Sequence, residues 1–187
     1  SKYQQYSEEY NTLETMILSC GLDYTIIRPT MIYGNHQDKN IHKLVKIVNK
    51  YSIVPTIGKG YGLMQPIYAK DLVGVIAAAY MNPVSIKKAY NVAGKEPIRL
   101  VEIMKLISRE LGKRRFFISI PYPVALATGY IGEWINNELI NIERIQRLGE
   151  DKVFSFDEAS NDLGFAPIDF KQGISLEVDA LRQAGII

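Results

Sequence analysis

The chain is poor in the residues that build metal and disulfide sites. It has one cysteine, Cys20, and two histidines, His36 and His42. A single cysteine excludes a disulfide framework and a cysteine-based zinc site, and two histidines cannot complete a metal shell without carboxylates. No metal is expected. Cys20 adjoins Gly21 at the end of a predicted helix and reads as a structural thiol in a reducing compartment. Charge of either sign is also scarce in excess: 22 basic against 20 acidic residues give a net +2. That balance lacks the clustered cations of a nucleic-acid footprint. The basic run Lys113-Arg114-Arg115 follows Gly112 and fits a solvated helix end. Long apolar runs are missing too. The longest, Val73 to Met81, is too short to span a bilayer. The first residues are polar and lack the pattern of a secretory signal. No membrane partner and a cytoplasmic location are expected.

Apolar residues make up 47% of the 187 residues, enough for a substantial core. Apolar positions Tyr10, Leu13, Ile17 and Leu18 predict a helix over 7–19, with Gly21 as its stop. Tyr24 to Ile27 is a β-branched run stopped by Pro29 and reads as a buried strand. After the loop TMIYGNHQDKN, a helix is predicted over 41–50, capped by Asp38 or Asn40. A short extended piece then leads to a helix over 72–81 with Asp71 as its cap. A strand over 89–94, a helix ending at Leu111, and a strand in RFFISIP follow. A long helical stretch from Pro121 to about Leu148, a short helix ending at Gly164, and a last helix close the chain. Alternating strands and helices predict an α/β fold with parallel pairing.

The glycine fingerprint G-x-G-x-x-G, which places helix N-terminal amides on a pyrophosphate, is absent. GKGYG, Gly58 to Gly62, has the glycines but leads into LMQPIY rather than a helix, and so reads as a turn.

Four motifs stand in a specific order: a tyrosine helix (YSEEYNTLE), DYTIIRPTMIYG, QPIYAKDL and YNVAGKEPIRLVEI. In that order they resemble the C-terminal portion of extended and atypical short-chain dehydrogenases/reductases, in the branch of NAD-dependent epimerases/dehydratases and nucleoside-diphosphate-sugar epimerases. The tail from Arg147 to Ile174 resembles the same branch. The resemblance implies the C-terminal part of a Rossmann-like parallel sheet plus a small, mostly helical substrate subdomain. Residues 1–95 would be the late strands and helices of the Rossmann-like domain with an inserted substrate loop, and 96–187 the helical subdomain. The dinucleotide-binding half would precede Ser1, which accounts for the missing fingerprint.

The family's catalytic motif is Y-x-x-x-K, often with a glutamate a further helical turn on. By resemblance Tyr6 takes the catalytic tyrosine position and Glu14 the glutamate position, while Tyr10 stands where the lysine belongs. Without that cation a tyrosine titrates near its ordinary value of about 10 and is a weak base at neutral pH. The resemblance further implies Tyr6, Pro29, Thr30 and Met31 as cofactor-binding and Tyr33, Gly34, Asn40 and Gln65 as substrate-binding. Met64 occupies the place of an arginine that pairs with the substrate diphosphate, and a thioether cannot do so. Arg28 reads as the partner of a carboxylate. The implied cofactor is NAD or NADP and the implied substrate a sugar or nucleotide-sugar. The tyrosine helix allows a homodimer. The same departures fit a second class, a non-catalytic relative serving in binding or assembly.

Overall fold

The computed structural model describes residues 2–34, 37–38, 40–58, 62–126 and 151–187. Helix α1 (Lys2–Ser19) leads to β1 (Thr25–Pro29), β2 (Ile32–Tyr33) and α2 (Ile41–Lys50). Strands β3 (Ile53–Ile57), β4 (Leu63–Met64) and β5 (Ile67–Tyr68) precede α3 (Ala69–Met81). A 3-10 turn at Pro83–Ser85 joins α3 to β6 (Lys88–Val92), followed by β7 (Ile98–Arg99), α4 (Leu100–Glu110) and β8 (Phe116–Ile120). The described chain ends with α5 (Asp157–Leu163) and α6 (Phe170–Gln183).

The strands form four two-stranded ladders. β1 pairs with β6, β2 with β5 and β3 with β8, all parallel, whereas β4 pairs with β7 antiparallel. The architecture is α/β with parallel pairs, as the alternation of elements predicts; the antiparallel β4–β7 bridge is an addition that no pattern announced. Only two residues long on each side, it carries no periodicity to read.

Two cores form. In the first, α2 buries Ile41, Val45 and Val48, α4 buries Ile103, Met104 and Ile107, and α6 buries Ile174, Val178 and Leu181. These three- and four-residue steps place each set on one helix face. The stack covers Val54 and Phe117 of the β3–β8 ladder. Each such side chain contributes about 1.5–3 kcal/mol by leaving water. The second core joins Ile67, Val75, Tyr90 and Val92 to Ala159 and Phe165. Both cores draw on residues before and after position 95.

Several expected boundaries shift. α3 begins at Ala69, so Asp71 lies in its first turn rather than at its cap. The Asp71 carboxylate accepts instead from the Ile168 amide, 3.0 Å away, and fastens the C-terminal segment to α3. Asn40 holds the cap position of α2 but makes no side-chain cap bond. Asp38 does that work, accepting from the amides of Asn40 (2.7 Å) and His42 (3.1 Å). Gly164 ends α5 in the left-handed region at φ +65°, as its position predicts. The predicted turn at Gly58 to Gly62 and the helical stretch beyond residue 126 fall largely outside the described residues, as does His36.

Candidate functional site

Parallel pairing of β1 with β6 brings the carboxyl ends of both strands together, with Pro29 opposite Val92. Ligands of α/β folds bind beyond such ends. Three loops meet there. The Thr30 amide donates to the Val92 carbonyl (3.0 Å), and its hydroxyl donates to the Gln65 carbonyl (2.5 Å). The Gly94 amide donates to the same Gln65 carbonyl (3.1 Å), and Ile67 N donates to the Met31 carbonyl (2.9 Å). A Cβ on Gly94 would stand 2.0 Å from the Pro66 carbonyl oxygen, so only glycine permits this approach.

Gln65 is buried, and its side chain serves the backbone. Its amide donates to the Gly94 carbonyl (2.8 Å) and its oxygen accepts from Phe154 N (3.0 Å). Tyr33 is buried as well, packed on Tyr68 and Phe170 with centroids 5.7 and 5.1 Å apart. Gly34, at φ +131°, lies against the Tyr68 ring, where a Cβ would meet Cε2 at 2.6 Å. Of the substrate-side residues expected from the sequence, Asn40 is thus exposed while Tyr33 and Gln65 face the interior. On the cofactor side, Pro29 is exposed at the strand end, and Thr30 and Met31 are half-buried beside it. Met64 packs in the first core.

Tyr6 lies on α1, with its side chain outside the described residues. Tyr10 is 72% exposed. Glu14 is the one residue of 8–19 that is partly covered, because its carboxylate accepts from Arg28 Nε at 2.6 Å. That bond holds the Glu14 carboxyl below the usual carboxylate range and raises the Arg28 guanidinium. The carboxylate partner expected for Arg28 is therefore Glu14, and the pair ties α1 to β1.

The sequence reading missed one group. Glu177 of α6 is fully buried, and neither carboxylate oxygen has a hydrogen-bond partner among the described residues. Burial first, and then the neighbouring Asp38 carboxylate, push its carboxyl up to about 9, a rise that the Gly34 backbone partly offsets. Burial also raises the Tyr33 and Tyr68 phenols, with the charges of Glu177 and Asp71 adding to it. His42 Nδ1, also buried without a bond, lies 4.0 Å from Asp38 Oδ1. The signal was present in ISLEVDAL, where Glu177 shares the helix face of Ile174, Val178 and Leu181. Among the described residues no group of three or more histidine, cysteine or carboxylate side chains is arranged to hold a metal ion. Nor is any described helix long and apolar enough to cross a membrane.

Residues 5–93 match the family model described as "NAD dependent epimerase/dehydratase family". Among curated proteins, the chain is 27% identical over 108 residues to N-acetyl-alpha-D-glucosaminyl-diphospho-ditrans,octacis-undecaprenol 4-epimerase of Escherichia coli O157:H7, covering 57% of this chain and 32% of that protein. It is 25% identical over 185 residues to 3 beta-hydroxysteroid dehydrogenase/Delta 5-->4-isomerase of Mycobacterium tuberculosis, covering 87% of this chain and 50% of that protein. The chain spans from 32% to 50% of the length of these relatives. In fold it is similar to UDP-glucose 4-epimerase from Thermotoga maritima, solved with UDP-glucose, at a TM-score of 0.68 and 18% identity, over 96% of this chain and 52% of that one. Residues 5–93, which include β1 and β6, are thus similar to the NAD dependent epimerase/dehydratase family, and the fold of the chain is similar to that of a UDP-glucose 4-epimerase.

Proposed function

We propose that these residues form the substrate-side wall of a dinucleotide crevice in an NAD(P)-dependent epimerase/dehydratase-type oxidoreductase acting on a sugar or nucleotide-sugar. The observation that carries this reading is the lacing of the Thr30, Gln65 and Gly94 loops at the carboxyl ends of parallel β1 and β6. Pro29, Thr30 and Met31 face the nicotinamide end of the crevice. The Thr30 proton is committed to the Gln65 carbonyl, so its oxygen is left to accept a hydrogen bond from a ligand. Tyr6 moves the proton of the substrate hydroxyl. A bound nicotinamide supplies the hydride chemistry, and the protein supplies orientation. Gly34 and Asn40 border the substrate. Tyr33 and Gln65 act one layer beneath, holding the loops that do the contacting.

The pyrophosphate end of the cofactor is not provided for by these residues. No G-x-G-x-x-G is present, and the close approaches at Gly34 and Gly94 are filled by Tyr68 and Pro66. The 187 residues alone are accordingly expected to bind NAD+ weakly and to show no turnover. A dinucleotide-binding segment is expected to join this wall.

A second reading, a non-catalytic binding or assembly subunit, is favoured by Tyr10 in the lysine position and Met64 in the arginine position. The test is calorimetric titration with NAD+ and NADP+, then turnover of UDP-glucose, in the protein with its dinucleotide-binding segment, before and after Tyr10→Lys. The first reading expects cofactor binding and a gain of about a hundredfold or more in turnover from a lowered tyrosine pKa. Tight cofactor binding by Tyr10→Lys with no turnover of any alcohol or sugar would leave the second reading standing.

A further inference from the structure

The β3–β8 ladder has two unlike faces. Its register sets Ile53 opposite Phe116, Pro55 opposite Ile118 and Ile57 opposite Ile120. Side chains alternate across a strand, so these six residues share one face, and the intervening Val54, Thr56, Phe117 and Ser119 share the other. Val54 and Phe117 join the first core, beneath α2, α4 and α6. The face of six is apolar at every position, yet Phe116 is 72%, Ile53 57% and Ile118 51% exposed. An outward sheet face would ordinarily be polar. A contiguous apolar patch of this kind marks an interaction surface.

The edge of that face is basic. A cavity of about 540 Å³ lies where α4 ends and β8 begins, and Phe116 shares its wall with Lys105, Arg109, Lys113, Arg114 and Arg115. Two of these cations have structural work: Lys113 Nζ donates to the Asn49 carbonyl (3.2 Å) and Arg115 Nε to the Val48 carbonyl (2.7 Å), capping α2. Lys105, Arg109 and Arg114 have no ion-pair partner among the described residues. Tyr51, half-exposed beside Ile53, carries the Lys50 ammonium 5.2 Å from its ring centroid. No carboxylate lines the cavity.

We propose that this face docks on an anionic lipid bilayer surface, with Phe116, Ile53 and Ile118 entering the headgroup–acyl boundary and Lys105, Arg109 and Arg114 meeting anionic headgroups. Charge complementarity selects that occupant. A second copy of the chain would bring the same cations into apposition, and a neutral apolar partner would leave them unpaired. Aliphatic and aromatic side chains rimmed by lysine and arginine are the composition of interfacial anchors. The docking is peripheral, in keeping with the absence of a membrane-crossing helix among the described residues. It departs from the expectation of no membrane partner drawn from composition, because net charge and longest apolar run are blind to a patch assembled from two distant strands.

Co-sedimentation of the 187-residue chain with phosphatidylcholine vesicles, with and without phosphatidylglycerol, tests the proposal. The chain is expected to pellet with the anionic vesicles, to stay in solution with the neutral ones, and to be released by salt. Arg109→Gln and Arg114→Gln should each lower the partition coefficient about fivefold. Phe116→Ser with Ile118→Ser should lower it about tenfold or more while leaving the circular-dichroism melt in place, since both side chains are already exposed. Failure to pellet on anionic vesicles overturns the proposal. So does binding that ignores the serine substitutions, which would mark a general polyanion patch. A dimer in solution that Phe116→Ser dissociates would assign the face to a second copy instead.

Discussion

Helices α1 and α6 each carry a glutamate among apolar residues, and the two have opposite fates. Glu14 sits on a helix whose other residues from 8 to 19 are all exposed, including Leu13, Met16 and Leu18. It finds Arg28 at 2.6 Å and its carboxyl is held low. Glu177 sits on a helix that buries Gly173, Ile174, Val178 and Leu181 beside it, finds no bond among the described residues, and is pushed up to about 9. The difference shows that a shared pattern does not determine the environment. Both helices have the apolar spacing of a packed face; among the described residues, α6 buries that face and residues 8–19 of α1 do not.

The largest effect expected from breaking this contrast is at Gly173. A Cβ there would lie 1.8 Å from the Tyr33 hydroxyl, so Gly173→Ala must displace a ring wedged between Tyr68 and Phe170. A loss of about 3 kcal/mol is expected by urea unfolding. Next is Glu177→Gln, which should stabilise. Native Glu177 keeps a proton that the unfolded chain releases, so the native state loses ground as pH rises from about 4.5 to about 9. At pH 7 the penalty is roughly 3 kcal/mol. Unfolding midpoints should therefore differ most between the two proteins above pH 8 and converge near pH 4.5; a constant difference across that range would exclude titration as the cause.

Smaller effects belong to α1. Arg28→Gln removes a surface ion pair worth about 0.2–1 kcal/mol. Here the sign is reversed. Glu14 is lowered by Arg28, so its contribution is present above about pH 4.5 and fades as pH falls through the depressed value. A pH series of thermal melts on the wild type and Arg28→Gln should show the gap closing in acid. Smallest is Leu13→Ser. With the side chain 55% exposed, a change within about 0.5 kcal/mol is expected. A loss above 2 kcal/mol would show that α1 is covered in solution and would erase the contrast with α6.

Sequence periodicity located most elements. α2 matches its predicted span of 41–50, and β1, β6, α4, β8 and α6 lie where apolar spacing and the stops at Pro29, Gly94 and Gly112 put them. The short extended piece before α3 is β5, but how the two-residue strands pair was not legible, because no period fits in two residues. Asp71 illustrates a further limit. Aspartate before an apolar run is a sound reason to expect a cap, but Ile168 competes for the carboxylate from a segment far along the chain. The site was legible in part. The carboxylate partner of Arg28 could be anticipated from charge, and the placement of Thr30 at a strand end from the stop at Pro29. The burial of Tyr33 and Gln65 could not, since it depends on Phe170, Gly173 and Phe154 arriving from the last part of the chain. Glu177 could have been flagged as a charge on an apolar helix face, but its neighbour Asp38 is visible only once α6 has packed.

Gln65 has a reach out of proportion to its size. Through its carbonyl it receives Thr30 and Gly94, and through its amide it grips Gly94 again and Phe154. The segment beginning at Asp151, which also exchanges hydrogen bonds with Leu63, is thereby hitched to the floor beneath β1 through one planar side chain. Tugging on Thr30 from above is consequently expected to be felt at Phe154, so the amide protons of Gly94 and Phe154 should slow or quicken together in deuterated solvent.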